Sequence, residues 1–346
     1  MPDTPDRSPA QDTARRPLPR SVLDLSTVAS GRSSSQALAD TTTLAQRAEE
    51  LGYLRFWVAE HHNMNTVAST SPPVLMAHLG ASTSSIRIGS GGVMLPNHAP
   101  LVVAEQFAML EALHPGRVDL GIGRAPGTDP ATAAALRRSP DLLGAEDFPR
   151  DLLDLMGLLG DERVEHGAWS RFRATPAATS SPQIVLLGSS GYSAQVAGQL
   201  GLGFGFAHHF DTGGVLEACA LYRESFRPSP ELAEPYTIVT AGVLAADDRE
   251  QAEYLSGPAR LAILGIRTNR RTPLLPPDEA AVHPDIEVAR SMPSSRIIDD
   301  GPGAVARLME LAVQTEAAEL MISTMTYGLP ERIRTLELLA EHWPTG

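Results

Sequence analysis

The chain contains no lysine, so arginine carries every fixed positive charge. Lys plus Arg is 28 against 41 Asp plus Glu, a formal net charge of −13. That balance argues against a general nucleic-acid binder, which needs a basic face. Cysteine is almost absent as well. The lone Cys219 excludes an internal disulfide and a cysteine-cluster zinc or iron–sulfur site. It is consistent with a reducing cytoplasm, the location expected here. No apolar run approaches the roughly 18 residues that a membrane helix requires, so no membrane partner is expected. Aromatic residues are only 5%, yet 42% hydrophobic and 20% charged residues are ordinary for a packed chain. A length of 346 residues suffices for one large α/β barrel or two medium domains.

Residues 1–19 are rich in Pro, Asp, Arg and Thr and poor in large apolar groups, so they are expected to form a disordered tail. Arg15-Arg16 is not followed by a clean apolar stretch, because Pro17, Pro19 and Asp24 interrupt it, which argues against an export signal. From residue 20 to 346 the chain reads as one domain in which strands and helices alternate. Strands are expected at Ser21–Ser26, Phe56–Glu60, Ile86–Leu95, Val118–Gly123, Ile184–Gly188, Phe204–His208, Ile238–Ala245 and Glu319–Ser323. Helices are expected at Thr41–Tyr53 (with Asp40 as N-cap and Gly52 as a stop), Ser71–Ala81, Ala99–Leu113, Tyr192–Leu200, Val215–Phe226, Ala304–Thr315 and Glu331–His342. Two longer excursions interrupt the alternation, near 125–181 and 247–301. Eight short strands alternating with helices is the pattern of a (β/α)8 TIM barrel with insertions. A doubly wound sheet would place a Gly-rich nucleotide fingerprint after its first strand, and none occurs there.

In such a barrel the active site lies at the C-terminal ends of the strands. Those ends carry Glu60-His61-His62-Asn63, Gly91-Gly92, Pro96-Asn97-His98, Gly123-Arg124-Ala125-Pro126-Gly127, Gly188-Ser189-Ser190-Gly191-Tyr192-Ser193 and His208-His209. At Gly188–Ser193 a strand becomes a helix, and the N–H groups of a helix N-terminus attract phosphate. Ser189, Ser190 and Ser193 add hydroxyl donors, and Arg124 at the neighbouring strand end adds a forked guanidinium. The serines alone read as helix caps; with Arg124 beside them a phosphate site is the stronger reading. Gly91-Gly92 either lets backbone pass close to a flat ligand or marks a β-bulge, and the two stay open here. Glu60-His61-His62 could ligate zinc, but neighbours on a strand end point to opposite sides and no distant partner set with ligand spacing stands out, so no metal is expected. One histidine is then free for acid–base work beside a substrate, with His61 assigned that role and His62 a structural one; physics alone leaves their order open.

Phe56–Asn63 (FWVAEHHN), Ile88–Pro100 (IGSGGVMLPNHAP), Glu105–Pro130 with its HPGRVDLGIGRAPGTDP run, and Leu186–Ala197 (LLGSSGYSAQVA) together resemble the flavin-dependent, bacterial-luciferase-like monooxygenases. The resemblance runs from Ser21 to the C-terminal helix and is similar to an actinobacterial branch partly tied to natural-product and antibiotic biosynthesis. It implies a homodimeric luciferase-like barrel. It implies reduced FMN from a separate flavin reductase, which reacts with O2 to a C4a-peroxyflavin that oxygenates a hydrophobic small molecule, by hydroxylation or epoxidation. Some relatives instead use coenzyme F420 for hydride transfer, and a flavin-binding barrel without turnover is a third alternative. Carried over by motif, Arg124 with Gly188, Ser189, Ser190 and Ser193 would hold the FMN phosphate. Gly91 and Gly92 would match a non-prolyl cis peptide under the isoalloxazine, and His61 the catalytic histidine. The luciferase proper has a cysteine where this chain has Gly123, which argues against light emission. A peroxyflavin must be kept from water, and the 247–301 excursion is long enough to supply a lid, or is a tolerated surface insertion.

Overall fold

The computed structural model describes residues 17–125, 127–137, 147–164, 167, 170–210, 212–270 and 272–345. Residues 1–16, most of the expected tail, and Pro126 of the strand-four motif lie outside this set. Leu18 and Pro19, which composition assigned to the tail, are held against the barrel: the Trp343 indole N–H donates to Leu18 O at 2.8 Å and Leu320 N–H to Pro19 O at 3.1 Å.

The strands are β1 (Arg20–Asp24), β2 (Arg55–Val58), β3 (Arg87–Met94), β4 (Val118–Gly123), β5 (Gln183–Gly188), β6 (Gly203–Phe206), β7 (Thr237–Ala246), β8 (Ile297–Asp300) and β9 (Glu319–Ser323). β1 to β7 pair in order, and β9 closes the ring between β7 and β1, all parallel. This is the expected (β/α)8 TIM barrel. A closed ring has no open edges, which rules out the doubly wound sheet. All eight expected strands occur within two residues of their expected bounds. They could be read because barrel strands are buried on both faces and therefore appear as short apolar runs. Val22, Phe56, Ile88, Leu120 and Phe204 face outward into the large core beneath the helices. Leu23, Trp57, Val185, Ile238 and Met321 face inward and fill the lumen.

Three expectations are corrected. The first helix spans Ser34–Glu50, not Thr41–Tyr53, and its cap is Ser33. The Ser33 hydroxyl accepts from Gln36 N–H while the Gln36 side chain accepts from Ser33 N–H, a capping box hidden in a polar serine run. Asp40 is therefore mid-helix, where it pairs with Arg32 at 3.0 Å. Second, the 247–301 excursion contains a 19-residue helix, Arg249–Arg267, capped by Asp248 and continuing through Pro258. Its interior Pro258 and the Pro- and Arg-rich run around it read as an irregular excursion, although apolar and polar residues segregate at helical spacing. Third, the same excursion contains β8, which pairs with the far end of β7 outside the barrel ring.

The N-terminal end of the lumen is closed by charge. Arg55 Nη1 lies 3.0 Å from Asp119 Oδ2 and Arg55 Nε 2.9 Å from Glu319 Oε1. The Trp57 indole N–H donates to Asp119 at 2.9 Å, Arg55 to Gln183 at 3.1 Å, and the Tyr236 hydroxyl to Glu319 at 2.7 Å. Asp119 and Glu319 are fully buried. Removing one partner from such a network leaves a buried charge uncompensated, at a cost of about 3–5 kcal/mol. Asp119→Asn is therefore expected to lower stability by about 3–5 kcal/mol, read as a fall in the denaturation midpoint. An unchanged midpoint would show that the network is not needed.

Candidate active site

A cavity of about 250 Å³ opens at the C-terminal ends of the strands. All eight residues singled out from the sequence line it: His61 after β2, Gly91 and Gly92 in β3, Arg124 after β4, and Gly188, Ser189, Ser190 and Ser193 at the β5 end. Trp57, whose indole N–H is held from below by Asp119, also lines it. The lumen is tight there: a Cβ on Gly89 would overlap the Trp57 indole nitrogen. The Gly91–Gly92 peptide is cis, and the β3–β4 register shifts between Gly91 and Val93, so the close-approach and bulge readings describe the same spot.

The helix Gly191–Leu200 starts at this cavity. Its N-cap Ser190 is extended and makes no side-chain cap hydrogen bond, so that hydroxyl is not engaged by the helix end. Ser193 is buried, and a Cβ on Gly188 would lie 2.6 Å from its Cβ; glycine at 188 leaves that hydroxyl its place. The Arg124 guanidinium lies 4.3 Å from the Tyr192 ring centroid, stacked on the first turn of the same helix. Tyr192 had no role assigned from sequence, although it follows the serines directly.

The Glu60–His62 pair acquires a distant partner that spacing did not reveal. Glu60 is buried, and one of its carboxylate oxygens lies 2.8 Å from both His62 Nε2 and His98 Nε2. Asn97 donates to the same carboxylate at 3.3 Å and Met94 N–H at 3.0 Å. Burial works to raise the Glu60 carboxyl, but the hydrogen bonds from His98, His62 and Met94 N–H outweigh it and hold it below its ordinary 4.5. The Glu60, His62 and His98 ligand atoms fall within 4.8 Å of one another. Their 2.8 Å contacts are hydrogen-bond distances, whereas a tetrahedral ion at about 2.0–2.1 Å from each would spread neighbouring ligand atoms to about 3.3 Å. His61 faces the other way, into the cavity, as alternation along a strand end requires. His98 was visible only as part of Pro96-Asn97-His98 at a strand end; its partner could not be read.

A second cavity of about 260 Å³ adjoins the first. Both are lined by Leu25, His61, His209 and Phe210. Met64 and Val67 from the loop after β2, and Ala262, Ile263 and Ile266 from the Arg249–Arg267 helix, give it an apolar wall. The excursion is thus a wall of this cavity.

A family model described as luciferase-like monooxygenase matches residues 19–326. An Escherichia coli K12 protein named luciferase-like monooxygenase is 39% identical, covering 92% of this chain and 95% of its own. The Bacillus subtilis N-acetyl-S-alkylcysteine monooxygenase is 40% identical over 67% of this chain and 69% of its own. Among solved structures, apo-MsnO8 superposes with a TM-score of 0.86 at 32% identity, covering 95% of this chain and 99% of its own. Two more distant structures share the fold: the FMN complex of the oxygenating constituent of Pseudomonas putida 3,6-diketocamphane monooxygenase (TM-score 0.69, 16% identity, 94% and 97% covered) and an F420-dependent secondary alcohol dehydrogenase (0.67, 14%, 94% and 99%). This chain belongs to the luciferase-like monooxygenase family.

Proposed function

We propose that this protein is the oxygenating component of a two-component system. It takes reduced FMN from a separate flavin reductase and uses O2 to oxygenate a hydrophobic small molecule, by hydroxylation or epoxidation. The observation that carries this reading is that two neighbouring cavities share His61, one edged by groups suited to a phosphate and the other with a wall of apolar side chains.

The donor set fits FMN. Arg124, the hydroxyls of Ser189, Ser190 and Ser193, and the N–H groups at the start of the 191–200 helix suit a phosphate dianion. The cis Gly91–Gly92 segment and Trp57 line the same cavity and would face a flat ring. When bound, a reduced flavin supplies the electrons that activate O2; the protein supplies position and electrostatics. His61 reaches both cavities and is placed to move a proton at the boundary between cofactor and substrate. We read Glu60 as a clamp: one carboxylate ties the β2 end that carries His61 to the backbone and side chains after β3. Substrates of the relatives, such as N-acetyl-S-alkylcysteines for the B. subtilis enzyme, set the size class expected here.

The homodimer is read from an exposed face. Val102, Met109 and Leu113 on the helix Pro100–Leu113, with Val74 on the neighbouring Pro72–Ser82 helix, are exposed although large and apolar.

Fluorescence titration of the protein with FMN, reduced FMN and F420 tests the cofactor. Reduced FMN is expected to bind tightest, and Arg124→Ala to weaken it at least about tenfold, the size of a lost charge-assisted hydrogen bond. His61→Ala should abolish turnover and leave that affinity within about twofold. Preference for F420 would move the protein to hydride transfer. Because folding depresses the Glu60 pKa, its stabilising contribution is full above the ordinary value of 4.5 and is lost as pH falls below it. Unfolding midpoints measured from neutral pH into acid should fall less steeply in Glu60→Gln than in the native protein; parallel curves would remove the clamp. Met109→Glu should convert a dimer to a monomer by light scattering, and a native protein already monomeric would end the dimer reading.

A further inference from the structure

Arg124 stands where the fold by itself would not favour a cation. Ile122 of β4 pairs with Leu186 of β5, and two residues beyond each lie Arg124 and Gly188, so the register sets them side by side. Gly188 leads into the turn from which the helix Gly191–Leu200 starts. A helix N-terminus carries partial positive charge and repels a guanidinium. The first turn of this helix holds no acidic residue, and among the described residues Arg124 meets no carboxylate. Its partner is the Tyr192 ring: Arg124 Cζ lies 4.3 Å from the ring centroid, within the range of a cation–π contact.

Tyr192 is itself held. It is half-buried and packs against the large core beneath the helices. Arg124 lines the cavity at the strand ends, and Tyr192 is not among the residues that do. The ring can therefore act on a molecule in that cavity only through the guanidinium.

An arginine free to rotate loses that freedom when it grips a ligand, and the loss weakens binding. Stacking on a fixed ring removes much of the loss beforehand. Unlike a carboxylate partner, a ring brings no full negative charge, so the fork still seeks an anion. We infer that Tyr192 is a positioning residue, which holds Arg124 at the helix start and through it sets the preference for a phosphorylated flavin over an unphosphorylated one. The flavin rests on the FMN reading above; the demand for a phosphate does not.

FMN and riboflavin differ only in the phosphate, and fluorescence quenching follows the binding of each to the full-length protein. The native protein is expected to bind FMN at least about tenfold tighter than riboflavin. Tyr192→Leu should weaken FMN about tenfold and leave riboflavin within about twofold. Tyr192→Phe keeps the ring and should bind both as the native protein does. In an Arg124→Ala background, Tyr192→Leu should weaken FMN no further, because the ring acts through the guanidinium. Equal weakening of both flavins in Tyr192→Leu would show a merely structural role, and loss of FMN in Tyr192→Phe would make the hydroxyl a direct ligand. Either result overturns the inference and leaves FMN binding in place. A native protein that binds FMN no tighter than riboflavin overturns it as well. Inorganic phosphate, followed by phosphorus NMR, separates the two readings. A protein that binds phosphate, loses it in Tyr192→Leu and keeps it in Tyr192→Phe, yet takes no flavin, would sink the FMN reading and leave this one standing.

Discussion

Arg55 sits inside the barrel between Asp119 of β4 and Glu319 of β9, and most of what lies above it depends on that placement. A bare guanidinium or carboxylate at this depth would be prohibitive, so each must be fully met. Arg87, Ser21, Trp57, Gln183 and Tyr236 join the set. The network therefore spans β1 to β5 and β9 and reaches Tyr236, just ahead of β7. It also orients Trp57, because the indole has one donor and Asp119 receives it. Trp57 then supplies the lumen side of the cavity edged by Arg124 and the Gly188–Ser193 turn. A polar layer low in the barrel thereby shapes a site at the opposite end of the strands.

Above that layer the chain divides its labour by element. Residues that would grip a phosphate come from two successive strand ends and one helix start, where backbone geometry is stiff. Residues that would meet a varied small molecule come from the loop after β2 and from the 247–301 excursion. His61 belongs to both parts, and the strand end that carries it is tied down by the carboxylate next to it in sequence. Glu60 can serve as that tie because His98, His62 and a backbone N–H all converge on it and keep it ionised.

The alternation of barrel strands and helices was open to reading because it is a short-range property. Each strand is a compact apolar run buried on both faces, and each flanking helix repeats every three or four residues. That Gly91, Gly92, Arg124 and the Gly188–Ser193 turn would meet at one place was also readable, since glycines, serines and an arginine at strand ends are unusual company. The helix Arg249–Arg267 was missed because Pro258 interrupts it and the segment around it is rich in Pro and Arg, and β8 because it lies in an excursion outside the barrel ring. Ser33 was missed as a cap because three serines in a row look like a loop.

By itself the sequence determined the barrel, the order of its parts and the loops that would bear chemistry, because those follow from local spacing and residue type. Only the tertiary structure decided which distant side chains meet. His98 reaches Glu60 from 38 positions away, Asp119 and Glu319 close on Arg55 from strands far apart, and Arg124 lies over the Tyr192 ring. These are long-range pairings, set by how a closed ring brings strand ends together, and no periodicity along the chain encodes them.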